Sequence, residues 1–153
     1  MKTLRSLAIV ILFVTCLPVM KSQTATEKGK PVDYEAVAQK LVNQCAGIKE
    51  GEIVLITGGV KDIELLEDIA VNVSKVGAYP LISVGSDRLT RKMYTEVPVK
   101  YDTQPPLLEM KLLEFVNVVI SVSYGEDPGL LADIPPDRIA AISKATVPVN
   151  DLA

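Results

Sequence analysis

The residues whose type and position could do chemistry are serines and carboxylates at the ends of apolar runs. Ser83, Ser86, Ser121 and Ser123 all follow strand-like segments, where nucleophiles often sit. Activating a hydroxyl takes a base within hydrogen-bond reach, and imidazole is the usual one. The chain contains no histidine. No GxSxG surrounds these serines, and a Ser–Lys pair using Lys144 or Lys92 stays open because nothing in the sequence selects it. Glu126, Asp127 and Asp133 follow the third apolar run, where open α/β sheets place their ligand crevice. Acting by carboxylate alone, they suit calcium or magnesium better than zinc. Their spacing is irregular, and loop solubility and helix capping account for them more simply.

Gly58-Gly59, between a strand and a helix, resembles a phosphate-cradling turn. Yet Thr57-Gly58-Gly59-Val60-Lys61-Asp62 is neither GxGxxG nor GxxxxGK[ST], and Asp62 would repel a phosphate. The simpler reading is a tight turn that needs glycine's backbone freedom. Glu64, Glu67 and Asp68 fall on the outer face of a helix, and Tyr79 and Tyr94 read as core-edge packing. From the residues alone, no catalytic, metal-ligating or cofactor-binding position is assigned.

The first residues stand apart from any fold. Lys2 and Arg5 precede Ser6 to Met20, an apolar run of about 15 residues, too short for a span of about 20 and suited to a signal-peptide core. Residues 1–25 are read as a signal peptide with cleavage near Ser22 or Ala25, residues 26–32 as a linker, and 33–153 as one α/β domain. An uncleaved leader would instead anchor the protein to a membrane. Either way the protein is expected outside the cytoplasm, periplasmic or extracellular. Setting aside Lys2, Arg5 and Lys21 leaves 13 basic and 19 acidic residues, a net charge of about −6, which argues against nucleic acid as a partner. Cys45 has no second cysteine to pair with outside the leader; on the apolar side of a helix it is expected buried and inert. Asn72-Val73-Ser74 matches a glycosylation sequon but lies inside a helical pattern.

The elements that must hold these groups alternate. Asp33 caps a helix whose apolar positions run from Tyr34 to Cys45, with Gly47 as its stop. Glu52–Thr57 reads as a strand buried on both faces. Asp62 is expected to cap a second helix with Ile63, Leu66, Ile69, Ala70, Val73 and Val76 inward, ending at Gly77. A strand at Tyr79–Val84, helices at Arg88–Thr95 and Pro106–Phe115, and a buried strand at Val116–Val122 follow. A turn at Leu130–Ile134 leads to a last helix from Pro136 to Ala145, with Ile139, Ala140 and Ile142 inward. This order implies a small three-layer α/β domain, a mostly parallel sheet flanked by helices.

Three stretches taken together resemble the N-terminal domain of the thermophilic metalloaminopeptidase family, the aminopeptidase T and aminopeptidase S type. They are Leu41 through Ile56 (LVNQCAGIKEGEIVLI), Gly77 through Val84 (GAYPLISV) and Ile134 through Ala145 (IPPDRIAAISKA). The resemblance covers roughly residues 33–148. It implies broad-specificity enzymes that remove N-terminal residues from peptides with two divalent metals, usually as dimers. Family members hold those metals with glutamate, histidine and aspartate side chains of a second, C-terminal domain, so no catalytic or metal residue is carried onto this chain. The expectation is therefore a non-catalytic N-terminal domain, or truncated form, of an exported metal-dependent aminopeptidase-like protein. It would shape the substrate cavity and assembly while a missing C-terminal domain carries the dinuclear site, and alone it is expected to be inactive. The alternative is an exported α/β binding or interaction module without peptidase activity. Met110, Leu112, Leu113 and Val147 are candidates for an apolar patch favouring self-association, or simply for core.

Overall fold

A computed structural model describes residues 32–122, 125 and 127–150. The leader, the linker before Val32, Ser123 and Glu126 lie outside the described residues. Three strands form one parallel sheet in the order β2-β1-β3. They are β1 (Ile53–Gly59), β2 (Tyr79–Gly85) and β3 (Val118–Ser121). Five α-helices accompany them: α1 (Tyr34–Lys40), α2 (Ile63–Lys75), α3 (Asp87–Glu96), α4 (Leu107–Leu113) and α5 (Pro136–Asn150). The domain is α/β, as the alternation of patterns predicts.

β1 is the strand on which everything aligns. It pairs with β2 from Ile53↔Tyr79 to Gly59↔Gly85 and with β3 from Val54↔Val118 to Thr57↔Ser121. Asn117 fixes the second register from both sides. Its side-chain oxygen accepts from the Ile53 amide at 2.8 Å, and its own amide donates to the Ile53 carbonyl at 2.9 Å. Because side chains alternate across a strand, Val54, Ile56 and Gly58 share one face with Ile82, Val118 and Ile120. The main core lies there: Val54 and Ile56 meet Ala38, Val42, Leu66, Ile69 and Val73, all fully buried, with Ile120 at its edge.

α2 lays its predicted apolar stripe on that face, and it ends as glycine dictates. The Gly77 amide donates to the Ser74 carbonyl at 3.0 Å and the Ala78 amide to the Val73 carbonyl at 3.2 Å, with Gly77 at φ +80°. That pair of bonds is a Schellman closure, and it seats Ala78 and Val73 together in the core. At the other end Asp62 does not cap: its side chain makes no cap hydrogen bond, and a single 3-10 turn, Val60–Asp62, leads into the helix instead. Gly58 and Gly59 belong to β1 rather than to a turn, and neither has a positive φ. The glycine at 58 is needed for room, not for backbone freedom, since a Cβ there would stand 2.8 Å from Leu66 Cδ2. Leu66 is fully buried and has nowhere to go. Gly58→Ala is accordingly expected to cost about 1–3 kcal/mol of stability in urea unfolding.

α1 is held to α2 by a polar clasp over this core. Asp33 caps α1 as predicted, accepting from the Ala36 amide at 3.0 Å. Glu35 then accepts from Lys75 Nζ at 2.8 Å, Gln39 Nε2 at 2.9 Å and Asn72 Nδ2 at 3.0 Å. Asn72 is buried and also donates to the Asp68 carbonyl at 2.8 Å, so the sequon asparagine is a structural tie. Beyond Lys40 the helix widens into a π-helix, Leu41–Ala46, that stops at Gly47 with φ +61°. Wider turns rotate each residue less, so Cys45 lags out of the apolar stripe and is exposed, contrary to the α-helical spacing. The bonds from Lys75, Gln39 and Asn72 lower the Glu35 pKa from 4.5 to about 2. A depressed carboxyl stabilises fully above its ordinary pKa and loses that contribution as pH falls through the lower one. The melting temperature should therefore fall between about pH 4.5 and pH 2. In Glu35→Gln that fall should be shallower.

The opposite face of the sheet is only partly covered. Leu55 is buried there, but its paired neighbours Leu81 and Val119 are 45% and 44% exposed, and Tyr79 is 65% exposed. β3 is thus half exposed rather than buried, and β2 is open on the same side. The dominant packing is α2 on the sheet with α1 against α2, while α4 and α5 pack chiefly on each other. On α4, Met110, Leu112 and Leu113 are half-buried, and the exposed apolar residues are Leu107, Leu108 and, just beyond, Phe115, with Val147 exposed on α5. α5 also runs on to Asn150 through Pro148, past the expected end at Ala145, and Ala140 faces out rather than in. No helix among the described residues is long and apolar enough to cross a membrane.

Candidate functional site

The carboxyl ends of the three strands bring several of the candidate serines and carboxylates to one edge of the sheet, where local bonding engages most of those described. Thr57 Oγ1 donates to Ser121 Oγ at 3.1 Å across the β1–β3 pair. That is a threonine–serine ladder rung. Ser83 is exposed on the open sheet face, and Ser86 is spent as the cap of α3, accepting from the Leu89 amide at 3.1 Å. Lys92 pairs with Glu96 at 3.3 Å, and Lys144 is exposed on α5; neither bonds a serine among the described residues.

The carboxylates are likewise employed in shaping loops. Asp133 forms a two-pronged ion pair with Arg91, one contact to Nη1 and one to Nη2 at 2.6 Å, and Arg91 Nη1 also donates to the Leu130 carbonyl at 2.6 Å. The guanidinium pairing lowers the Asp133 pKa and raises that of Arg91. Asp127 accepts from the Gly129 amide at 2.7 Å, and its own amide donates to Asp87 Oδ2 at 3.3 Å. These bonds fasten the loop after β3 onto α3. A hydrolytic dinuclear centre needs several carboxylate or imidazole ligands converging on each ion. Among the described residues no group of three or more such side chains could hold a metal, and Asp133 is paired with Arg91. The described residues do not fit the two divalent ions that the resemblance implies.

Sequence reasoning missed the best-built polar feature. Arg138 lies in the first turn of α5, where the helix dipole disfavours a cation. It is stabilised by Asp102, at the end of the 3-10 turn Val99–Tyr101: Nε stands 2.9 Å from Oδ2 and Nη2 donates to Oδ1 at 3.1 Å. Nη2 also donates to the Val97 carbonyl. The Nε–Oδ2 contact is an ion pair off the line of a hydrogen bond. The Asp102 side chain is 3% exposed and that of Arg138 12%. An arginine at a helix start, against the dipole, was the available signal that a buried carboxylate waits nearby. Beside the pair a cavity of about 350 Å³ is lined by Val99, Thr103, Pro135, Asp137 and Ala141.

Three parallel strands alternating with helices define an α/β domain. The chain belongs to the thermophilic metalloprotease (M29) family, whose profile matches residues 32–152. Its fold is similar to that of wild-type AmpT from Thermus thermophilus, with a TM-score of 0.64 at 20% identity. That likeness covers 78% of this chain and 32% of the other, so the chain spans about a third of that structure's length. No curated protein matches the chain.

Removing one member of a buried ion pair strands the other. Arg138→Met should cost about 3–5 kcal/mol in thermal or urea unfolding, and adding Asp102→Leu should restore most of it.

Proposed function

We propose that this chain is the non-catalytic domain of an exported, metal-dependent aminopeptidase-like protein. It shapes the substrate cavity and contributes to assembly, while another domain binds the metals and performs hydrolysis. Family membership supports the class of enzyme. The observation that carries the division of labour is chemical: a chain without histidine, in which the carboxylates at the sheet edge serve arginine and loop amides. The share of the AmpT structure that the domain matches, 32%, is consistent with a partner domain of larger size. Export is supported by the basic start and apolar run before Met20, with membrane anchoring as the outcome if the leader stays uncut. Homodimerisation fits the apolar side chains left open on the sheet and on α4.

The second reading, an exported α/β binding module without peptidase activity, draws on the cavity beside Asp102 and Arg138. An activity assay on the full chain separates hydrolysis from both. With added cobalt or zinc, leucyl peptides should release no leucine above a buffer blank. Metal-dependent turnover, abolished by chelator, would overturn the proposal.

A further inference from the structure

Asn72-Val73-Ser74 carries the acceptor pattern for an N-linked glycan, and the fold puts the acceptor where no glycan fits. Asn72 is 4% exposed, on the side of α2 that meets α1. Both hydrogens of its amide nitrogen are taken. Nδ2 donates to Glu35 Oε2 on α1 at 3.0 Å and to the Asp68 carbonyl one turn back at 2.8 Å. The rest of the motif is held as firmly. Val73 is fully buried in the core, and the Val73 and Ser74 carbonyls accept the Ala78 and Gly77 amides that close α2. Of the three residues only Ser74, whose hydroxyl completes the motif, is exposed.

Glycosylation replaces one of those two hydrogens. The Asn72 Nδ2 nitrogen bonds to C1 of a polyprenyl-diphosphate-linked oligosaccharide, one Nδ2 proton passes to a base, and the lipid diphosphate leaves with the electrons of its bond to that carbon. The product nitrogen keeps one donor where the clasp uses two, so either Glu35 or the Asp68 carbonyl loses its bond. The first sugar ring must also stand between α1 and α2, where Asn72 is sealed from solvent. α1 and the π-helical turns after it bring Ala38 and Val42 to the core, both fully buried, so displacing them uncovers it. We infer that Asn72 accepts a glycan only in the unfolded chain, and that a chain carrying one cannot close α1 onto α2. The two states exclude each other. A chain delivered unfolded to a compartment that holds the transferase is captured there, whereas a chain that folds away from it keeps Asn72 closed. The inference concerns Asn72 alone and stands whatever part the domain plays in hydrolysis.

Incubating the purified full chain with an oligosaccharyltransferase and its lipid-linked oligosaccharide tests this, read as a glycosidase-sensitive mass shift. Leu66→Asp puts a charge at a fully buried position and supplies the same motif in an unfolded chain. The folded, unmutated chain should gain glycan at least about a hundredfold more slowly than Leu66→Asp, because only its rare open form is an acceptor. Ser74→Ala, at an exposed position, should melt as the unmutated chain does and gain no glycan at any temperature. Held at its melting midpoint with the transferase, the unmutated chain should gain glycan. After cooling, the glycan-bearing fraction should stay sensitive to trypsin while the remainder regains resistance. Equal rates for the folded chain and Leu66→Asp would overturn the inference. So would a glycan-bearing chain that becomes trypsin-resistant on cooling, or a Leu66→Asp chain that gains no glycan, since the unfolded motif would then be no acceptor.

Discussion

The domain depends on the closeness of α2 to β1. Two chains of backbone approach until Leu66 fills the space that a side chain at position 58 would need, and only hydrogen on Gly58 permits it. Once that contact is made, Val54 and Ile56 are sealed from water against Leu66, Ile69 and Val73. Their burial drives the fold, since non-directional apolar area is the largest favourable contribution available to a domain of this size. β1 then serves as template for a neighbour on each side, and Asn117 locks one of them in register. The helix-to-strand passage at Gly77 follows, because the Schellman closure delivers the chain to Tyr79, whose amide bonds the Glu52 carbonyl at 2.8 Å.

Polar interactions in this molecule act as fasteners around that core. The Glu35 clasp joins α1 to α2, Arg91 joins α3 to the loop after β3, and Arg138 joins α5 to the turn before α4. Each draws its partners from residues far apart in sequence, so each closes a long loop. The three differ in setting: the first two are exposed to water, while the third is nearly sealed. Screening by solvent makes exposed pairs weak, and burial makes the third costly to break. At the sheet edge the same economy gives Asp87, Asp127 and Asp133 each a structural task.

Much of this was legible in the sequence and some was not, for reasons that can be named. The alternation of β-branched runs with amphipathic segments gave the parallel sheet and all five helices, and Asp33, Gly47 and Gly77 marked their helix ends correctly. Cys45 was misplaced because α-helical spacing was carried through a segment that is π-helical. Pro148 suggested an earlier end to α5 than the chain adopts, and the half-open strand β3 reads like a buried one because Val118, Val119 and Ile120 are apolar whichever way they face. The Asp102–Arg138 pair escaped notice because its members lie 36 positions apart. Pairing at that range is a property of the fold, and local pattern does not encode it.

Pro148 has one more implication. Its ring nitrogen carries no hydrogen, so the carbonyl four residues back, on Lys144, loses the intrahelical partner that every other interior position enjoys. Lys144 is at the surface, and water can take the vacated place. The last turn of α5 is therefore tied to the rest of the helix by one backbone bond fewer than an unbroken cylinder would have.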